Sequence, residues 1–169
     1  GMALHDGMYI RPFLTLSRAE VLAACKEVPI DYWSDPHNDN LRFTRVKIRK
    51  AVLPFLENEL GPGIKDALAR SARIFREDSE ALDALTDEIY ATIADPTSIE
   101  ITLLEALPIA LRKRVIRRAL ADLGATRITA EQLGWVDALI SQWHGQKAVA
   151  LPSGVTARRE SGRLALSHQ

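Results

Sequence analysis

The sequence predicts a mostly α-helical chain that closes in a small antiparallel sheet, an α+β fold. Three observations carry this prediction. Apolar residues recur at spacings of three and four through most of the chain. Helix signals punctuate them, with capping boxes at Ser17/Glu20 and Thr129/Gln132 and glycine or proline stops at Gly61-Pro62-Gly63, Asp95-Pro96 and Gly124. From Ala148 the pattern changes to alternation with turns at Pro152–Gly154 and Glu160–Gly162, which reads as a three-stranded meander within 148–167.

Taken in order, the first sixteen residues read as loop with a short extended piece around Met8–Ile10. Ser17 then caps a helix over 18–28 whose apolar face is Val21, Leu22, Cys25 and Val28, and Pro29 ends it. Residues 31–41 are rich in Asp, Asn and Pro and form a structured loop. A helix over 42–60 follows, with a kink or break expected at Pro54, which lacks a backbone donor and biases Leu53 away from helical geometry. Pro62 is placed to start the next helix, over 63–94. Its stripe is Ile64, Leu68, Ser71, Phe75, Leu82, Leu85, Ile89 and Ile93, narrow enough to require covering by neighbouring helices or a second subunit. Beyond Pro96, Ile99–Ile101 reads as a strand. Helices over 108–123, through Leu111, Val115, Ala119 and Leu123, and over 129–144, through Leu133, Val136, Ile140 and Trp143, complete the count.

The chain has 169 residues, 47% hydrophobic and 26% charged, enough to bury a core and too apolar for a disordered chain. Lys+Arg and Asp+Glu are 22 each, so a globally basic nucleic-acid binder is excluded. The balance hides sorted blocks: 42–50 holds only bases among its charges, 77–95 only acids, and 112–118 only bases. The single Cys25 forms no internal disulfide and fits a reducing cytoplasm. No apolar run reaches membrane-spanning length, so no membrane partner is expected. Gly1 ahead of Met2 reads as a tag-cleavage scar, and a longer natural protein is expected.

Motif chemistry is sparse. No phosphate-cradling glycine loop occurs, the four histidines lie far apart, and no metal site is expected. The informative segment is 35–49. On a helix starting near Arg42, the residues Arg42, Arg45 and Arg49 share one face, beside a loop carrying His37 and Asn38. By spacing alone this is either a solvated basic face or a stripe suited to phosphate oxygens. The run 112–118 sets Lys113 against Arg117 and Arg114 against Arg118 at like-charge i, i+4 spacing, again surface or nucleic-acid contact. Trp33 and Trp135 either stack on bases or pack at an edge.

Together these residues resemble a family. Arg11-Pro12-Phe13-Leu14, the Asp35-Pro36-His37-Asn38 loop, Phe43-Thr44-Arg45 with Arg49, and Leu53-Pro54-Phe55-Leu56 form one ordered pattern. It is similar to the segment following the nucleotide-binding core of the tRNA(Ile)-lysidine synthetases. Residues 67–82 resemble that family's long connecting helix, and residues from about 98 its first C-terminal domain. Two positions depart from the pattern: His37 stands where Ser or Thr is usual, and Val46 where Asn follows the Arg.

The resemblance implies three regions: 1–60 as the C-terminal end of a catalytic, nucleotide-binding domain, 61–96 as a long connecting helix, and 97–169 as an α+β tRNA-binding domain. It implies an ATP-dependent ligase that joins lysine to C2 of the wobble cytidine of tRNA(Ile), with ATP and its Mg2+ bound upstream of this chain. The chain by itself is then expected to be inactive. Asn38, Arg45 and Arg49 carry over to the catalytic cleft. Arg42, Lys47, Arg112, Lys113, Arg114, Arg117, Arg118, Arg158 and Arg159 carry over as tRNA-facing bases. The alternatives are a helical module that dimerises through 64–93 without a tRNA role, and another ATP-dependent tRNA-modifying enzyme.

Overall fold

Caps and glycine stops set the helix boundaries in the computed structural model, which describes residues 4–28 and 30–168. The chain divides into two compact units, Gly1–Ile74 and Phe75–Gln169.

The first unit opens with a two-stranded hairpin, β1 (His5–Asp6) against β2 (Tyr9–Ile10). Helix α1 (Arg18–Glu27) starts at the expected capping box: the Ser17 hydroxyl accepts from the Glu20 amide at 3.2 Å, and the Glu20 carboxylate accepts from the Ser17 amide at 2.6 Å. The stop expected at Pro29 lies outside the described residues. The helix expected over 42–60 begins at Thr44 and is built of three pieces: α2 (Thr44–Lys47), a π-helical turn over Ile48–Val52, and α3 (Leu53–Leu60). No break occurs at Pro54, and Leu53 keeps helical angles (φ −63°, ψ −45°). The correction has a physical cause. A π turn precedes the proline, in which the Leu53 amide bonds the Ile48 carbonyl five residues back, and the helix passes through Pro54, which has no amide to donate, without a break.

Gly61 and Gly63, at φ 99° and 100°, form the stop, and α4 (Ile64–Ala91) starts after it rather than at Pro62. The cap is a side chain from the preceding helix. Glu57 accepts from the amides of Gly63 and Lys65, each at 2.7 Å, and these bonds hold its carboxyl below the usual range. Among the described residues of the first unit only Val46 is buried, at 8% exposure, while Phe13, Trp33, Phe55 and Leu60 stand open.

The second unit holds the core. Strand β3 (Ser98–Glu100) leads into a six-residue helix α5 (Ile101–Ala106), followed by α6 (Ile109–Asp122) and α7 (Ala130–Ser141). The expected strand at 99–101 thus ends at Glu100, and Ile101 turns into α5, which is too short to leave a periodic trace. Thr129 and Gln132 form the anticipated capping box. Helix α7 ends at Ser141, not near 144, so Trp143 leaves the apolar stripe and its ring packs under the Arg159 guanidinium at 5.5 Å. Likewise α4 ends at Ala91 rather than 94.

The tail folds as β4 (Val149–Ala150), β5 (Val155–Glu160) and β6 (Arg163–His168), joined by a turn with Ser161 and Gly162 at φ 50° and 74°. The sheet has four antiparallel strands in the order β3-β6-β5-β4, one more than the tail alone supplies, with Ile99 opposite Leu164. Ile99, Leu104, Ile116, Leu120, Leu139 and Leu164 fill the space between sheet and helices, and Ile89, Tyr90 and Ile93 of the α4 end and its extension pack on them. Each fully buried aliphatic side chain of this kind contributes roughly 1.5–3 kcal/mol. Among the described residues no helix is long and apolar enough to cross a membrane.

Candidate functional site

Residues 35–49 fold back on themselves through side-chain bonds to backbone. Asp35 Oδ1 accepts from the His37 amide at 2.8 Å and sits 2.8 Å from His37 Nδ1, which fixes the 3-10 turn Pro36–Asp39. The amide bond from His37 is the main reason the Asp35 carboxyl is held below its ordinary range. Asp39 is held down by its ion pair with Lys50. Arg49 Nη2 donates to the Asn38 carbonyl at 2.7 Å, tying the turn to the helix eleven residues later.

These bonds shape a cleft of about 410 Å³ whose wall includes His37, Asn38, Phe43, Arg45, Val46 and Arg49. The three residues expected at the catalytic cleft, Asn38, Arg45 and Arg49, therefore lie together. Arg42 does not join them on one helical face. Its amide donates to Asn40 Oδ1 at 3.0 Å in the turn before Thr44, so the helix begins two residues later than expected. Lys47 is exposed and lies outside the cleft wall. His37, a departure from the family pattern, packs its ring 5.6 Å from that of Phe43 at a tilt of 55° and sets an imidazole in the cleft wall in place of a small hydroxyl.

The basic run 112–118 lies on α6, and most of its cations have partners within the second unit. Arg112 Nε meets Asp137 Oδ1 of α7 at 2.7 Å, with side-chain exposures of 11% and 8%. Arg114 Nε meets Asp83 at 2.8 Å and its Nη2 reaches Ser79 Oγ at 3.3 Å. Arg118 Nη1 meets Asp87 at 3.0 Å, and its guanidinium lies 5.7 Å over the Tyr90 ring. The Tyr90 hydroxyl donates to Asp122 at 2.7 Å, and burial with that carboxylate pushes its pKa upward. Arg117 Nη1 donates to the Ile128 carbonyl at 3.3 Å. Lys113 has no partner among the described residues and lines a cleft of about 360 Å³ with Arg114 and Arg117.

On β5, Arg158 pairs with Glu160 at 2.9 Å. Arg159 turns inward and donates to the carbonyls of Leu139 and Ile140 at 3.2 Å, closing the end of α7. The partners Asp83, Asp87 and Asp137 were not anticipated from sequence. Asp83/Asp87 on α4 and Arg114/Arg118 on α6 share an i, i+4 step, and that matched spacing of opposite charge was the available signal.

Two family models match the chain: a PP-loop domain over residues 2–56 and a TilS substrate binding domain over residues 100–165. The chain is 41% identical to a tRNA(Ile)-lysidine synthase of Nocardia farcinica, over all of this chain and 55% of the relative. It is 44% identical to one of Leifsonia xyli, over 97% of this chain and 51% of the relative. It is 42% identical to one of Mycobacterium leprae, over 94% of this chain and 49% of the relative. The chain spans about half the length of these curated relatives.

Proposed function

The chain belongs to the tRNA(Ile)-lysidine synthase family, and from that premise we propose that it forms part of an ATP-dependent ligase that joins lysine to the wobble cytidine of tRNA(Ile). In this reading residues 1–60 complete the catalytic domain, 61–96 connect, and 97–169 hold tRNA. The observation that carries it is the convergence of the family-patterned residues Asn38, Arg45 and Arg49 on one cleft. Arg45 offers fixed positive charge on the cleft wall, suited to a phosphate of ATP or of the tRNA backbone. Arg49 acts through the turn it holds, keeping the Asn38 carbonyl and the loop in place.

ATP and its Mg2+ are assigned to other parts of the PP-loop domain. Among the described residues no group of three or more His, Cys, Asp or Glu side chains is arranged to hold a metal. The exposed apolar residues of the first unit, Phe13, Trp33 and Phe55 among them, supply the surface against which those parts pack. For tRNA the contact bases are Arg42, Lys47, Lys113, Arg117 and Arg158. Arg112 and Arg159 hold the fold instead, because their guanidinium groups are engaged inside it. We place the enzyme in the cytoplasm, where its tRNA is. Helix α4 also offers a homodimer contact, since Leu68, Phe75 and Leu85 on its stripe are exposed, and sedimentation velocity reads that state directly.

The test is a chimaera in which this chain replaces the aligned segment of the Nocardia farcinica relative. Lysine incorporation into tRNA(Ile) is expected. A charge-assisted bond to phosphate contributes on the order of 1.5–3 kcal/mol, so Arg45→Ala should lower kcat/KM by roughly one to two decades. Arg49→Ala should also lower activity, since the Asn38 carbonyl loses the bond that ties the turn to the helix, and Arg49→Lys should restore part of it by donating to the same oxygen. A chimaera that folds but ligates no lysine, or Arg45→Ala at the unsubstituted rate, sinks the reading.

A further inference from the structure

The facing sides of α4 and α6 pose a question that the proposed function does not answer. The cations best placed on α6 for a nucleic-acid backbone are already held by carboxylates. Asp83 takes Arg114 at 2.8 Å and Asp87 takes Arg118 at 3.0 Å. Neither pair is sealed. Both carboxylate side chains are 62% exposed, and exposed pairs of this kind are weak enough to exchange partners. Two clefts lie along the seam, of about 360 and 400 Å³, and Asp83, Arg114 and Arg117 line both. At one end stands Lys113 without a partner among the described residues. Arg117, between the two pairs, has only a carbonyl partner among the described residues.

We infer that this seam is a docking surface for an RNA phosphodiester backbone, closed in the free protein by Asp83 and Asp87, which stand where phosphates stand in the complex. The inference rests on the tRNA-binding role given above and goes beyond it, because it assigns the role of competitor to two acids. Charge complementarity commits the occupant. Two carboxylates one helical turn apart hold two guanidinium groups one turn apart, and a phosphodiester offers the same oxygen fork to each. Lys113 and Arg117 give the incoming strand its first foothold, since no carboxylate needs displacing there. The seam lies alongside residues 100–165, the part matched by the substrate binding domain model. Each exchange releases an acid to solvent as it neutralises a phosphate, so the acids weaken RNA binding and flatten its salt dependence.

The experiment measures binding of a tRNA(Ile) transcript to the 169-residue chain by fluorescence anisotropy across a salt series. Asp83→Asn/Asp87→Asn should bind about tenfold tighter near 0.1 M salt, with a log–log salt slope steeper by about one to two. A charge-matched control, Glu88→Gln/Glu131→Gln, should change affinity far less and leave the slope alone. In a chain already carrying Arg114→Gln/Arg118→Gln, adding Asp83→Asn/Asp87→Asn should bring little or no gain, whereas a general effect of charge would give the same gain in both backgrounds. Asn preserves side-chain shape, and an unchanged melting temperature confirms that the variant is folded. Unchanged or weaker binding by the Asn variant overturns the inference, as does an equal gain in the control. If the chain and all its variants fail to bind the transcript, the tRNA-binding role falls and the inference falls with it. Binding by the unsubstituted chain with no gain in the Asn variant refutes the inference alone.

Discussion

Asp137 lies on the helix face that packs inward, an unusual place for a carboxylate, and it is tolerable there because Arg112 meets its Oδ1 at 2.7 Å and the Ser141 hydroxyl reaches its Oδ2 at 3.4 Å. Removing one partner of a buried pair leaves the other charge without compensation. Asp137→Ala should therefore destabilise the second unit by about 3–5 kcal/mol, read as a fall in the urea midpoint. Arg112→Met/Asp137→Leu should recover most of it, because a pair removed together strands no charge. Recovery no better than that of either single variant would show that the pair itself, rather than the stranded charge, carries the stability. Sequence made Arg112 look like its neighbours in a basic run. Its inward direction depends on an acid twenty-five residues away on another helix, which no local pattern reveals. That Arg45 and Arg49 lie together beside the 35–39 loop was legible, because their spacing and that loop are local.

Helices were legible wherever their ends are written in nearby residues. Both capping boxes formed where Ser17/Glu20 and Thr129/Gln132 place them. Of the kink or break expected at Pro54 the break does not occur, because a proline's conflict has two resolutions, a broken helix or a widened turn, and here the turn widens. The start of α4 depends on Glu57, six residues ahead of Gly63 and across a turn, outside any cap pattern. Its folded carboxyl titrates below its unfolded value, so the stability it contributes is present above the ordinary carboxylate range and disappears as pH falls through the depressed value. The protection of the Gly63 and Lys65 amides, taken relative to the intrinsic exchange rate at each pH, should therefore fall on acidification in the unsubstituted chain. Glu57→Gln should show the lower protection already at neutral pH and little further change. Identical pH profiles for the two proteins would remove Glu57 from the cap.

At the scale of the molecule the two units differ in how they are stabilised. The second closes a core of fully buried aliphatic residues, while the first buries Val46 and leaves Phe13, Trp33, Phe55 and Leu60 in contact with solvent. Chemical denaturation should accordingly show two transitions. The first-unit Trp33 should lose its environment at lower urea than Trp135 and Trp143, resolvable with single-tryptophan variants. One coincident transition for all three would mean that the units stand or fall together. The α+β class was legible from the change of periodicity at Ala148. The strand near 99–101 was expected as well, but its place as the fourth strand of the sheet was not, since its partner lies far along the chain.

That distant partnership imposes an order on the protein's birth. Strand β6 sits inside the sheet with β3 on one side and β5 on the other, and Arg163 bonds Ser98 across a separation of 65 residues. During synthesis, at about 5–20 residues per second, α5, α6 and α7 leave the ribosome with their apolar faces uncovered. They wait several seconds for Leu164 and Leu166. A nascent chain arrested before residue 163 should thus bind chaperones and yield to protease, while one extended past 168 and clear of the exit tunnel should resist both in its second unit. Of the four strands in this sheet, β6 is made last, and it is the one that lets the helices close.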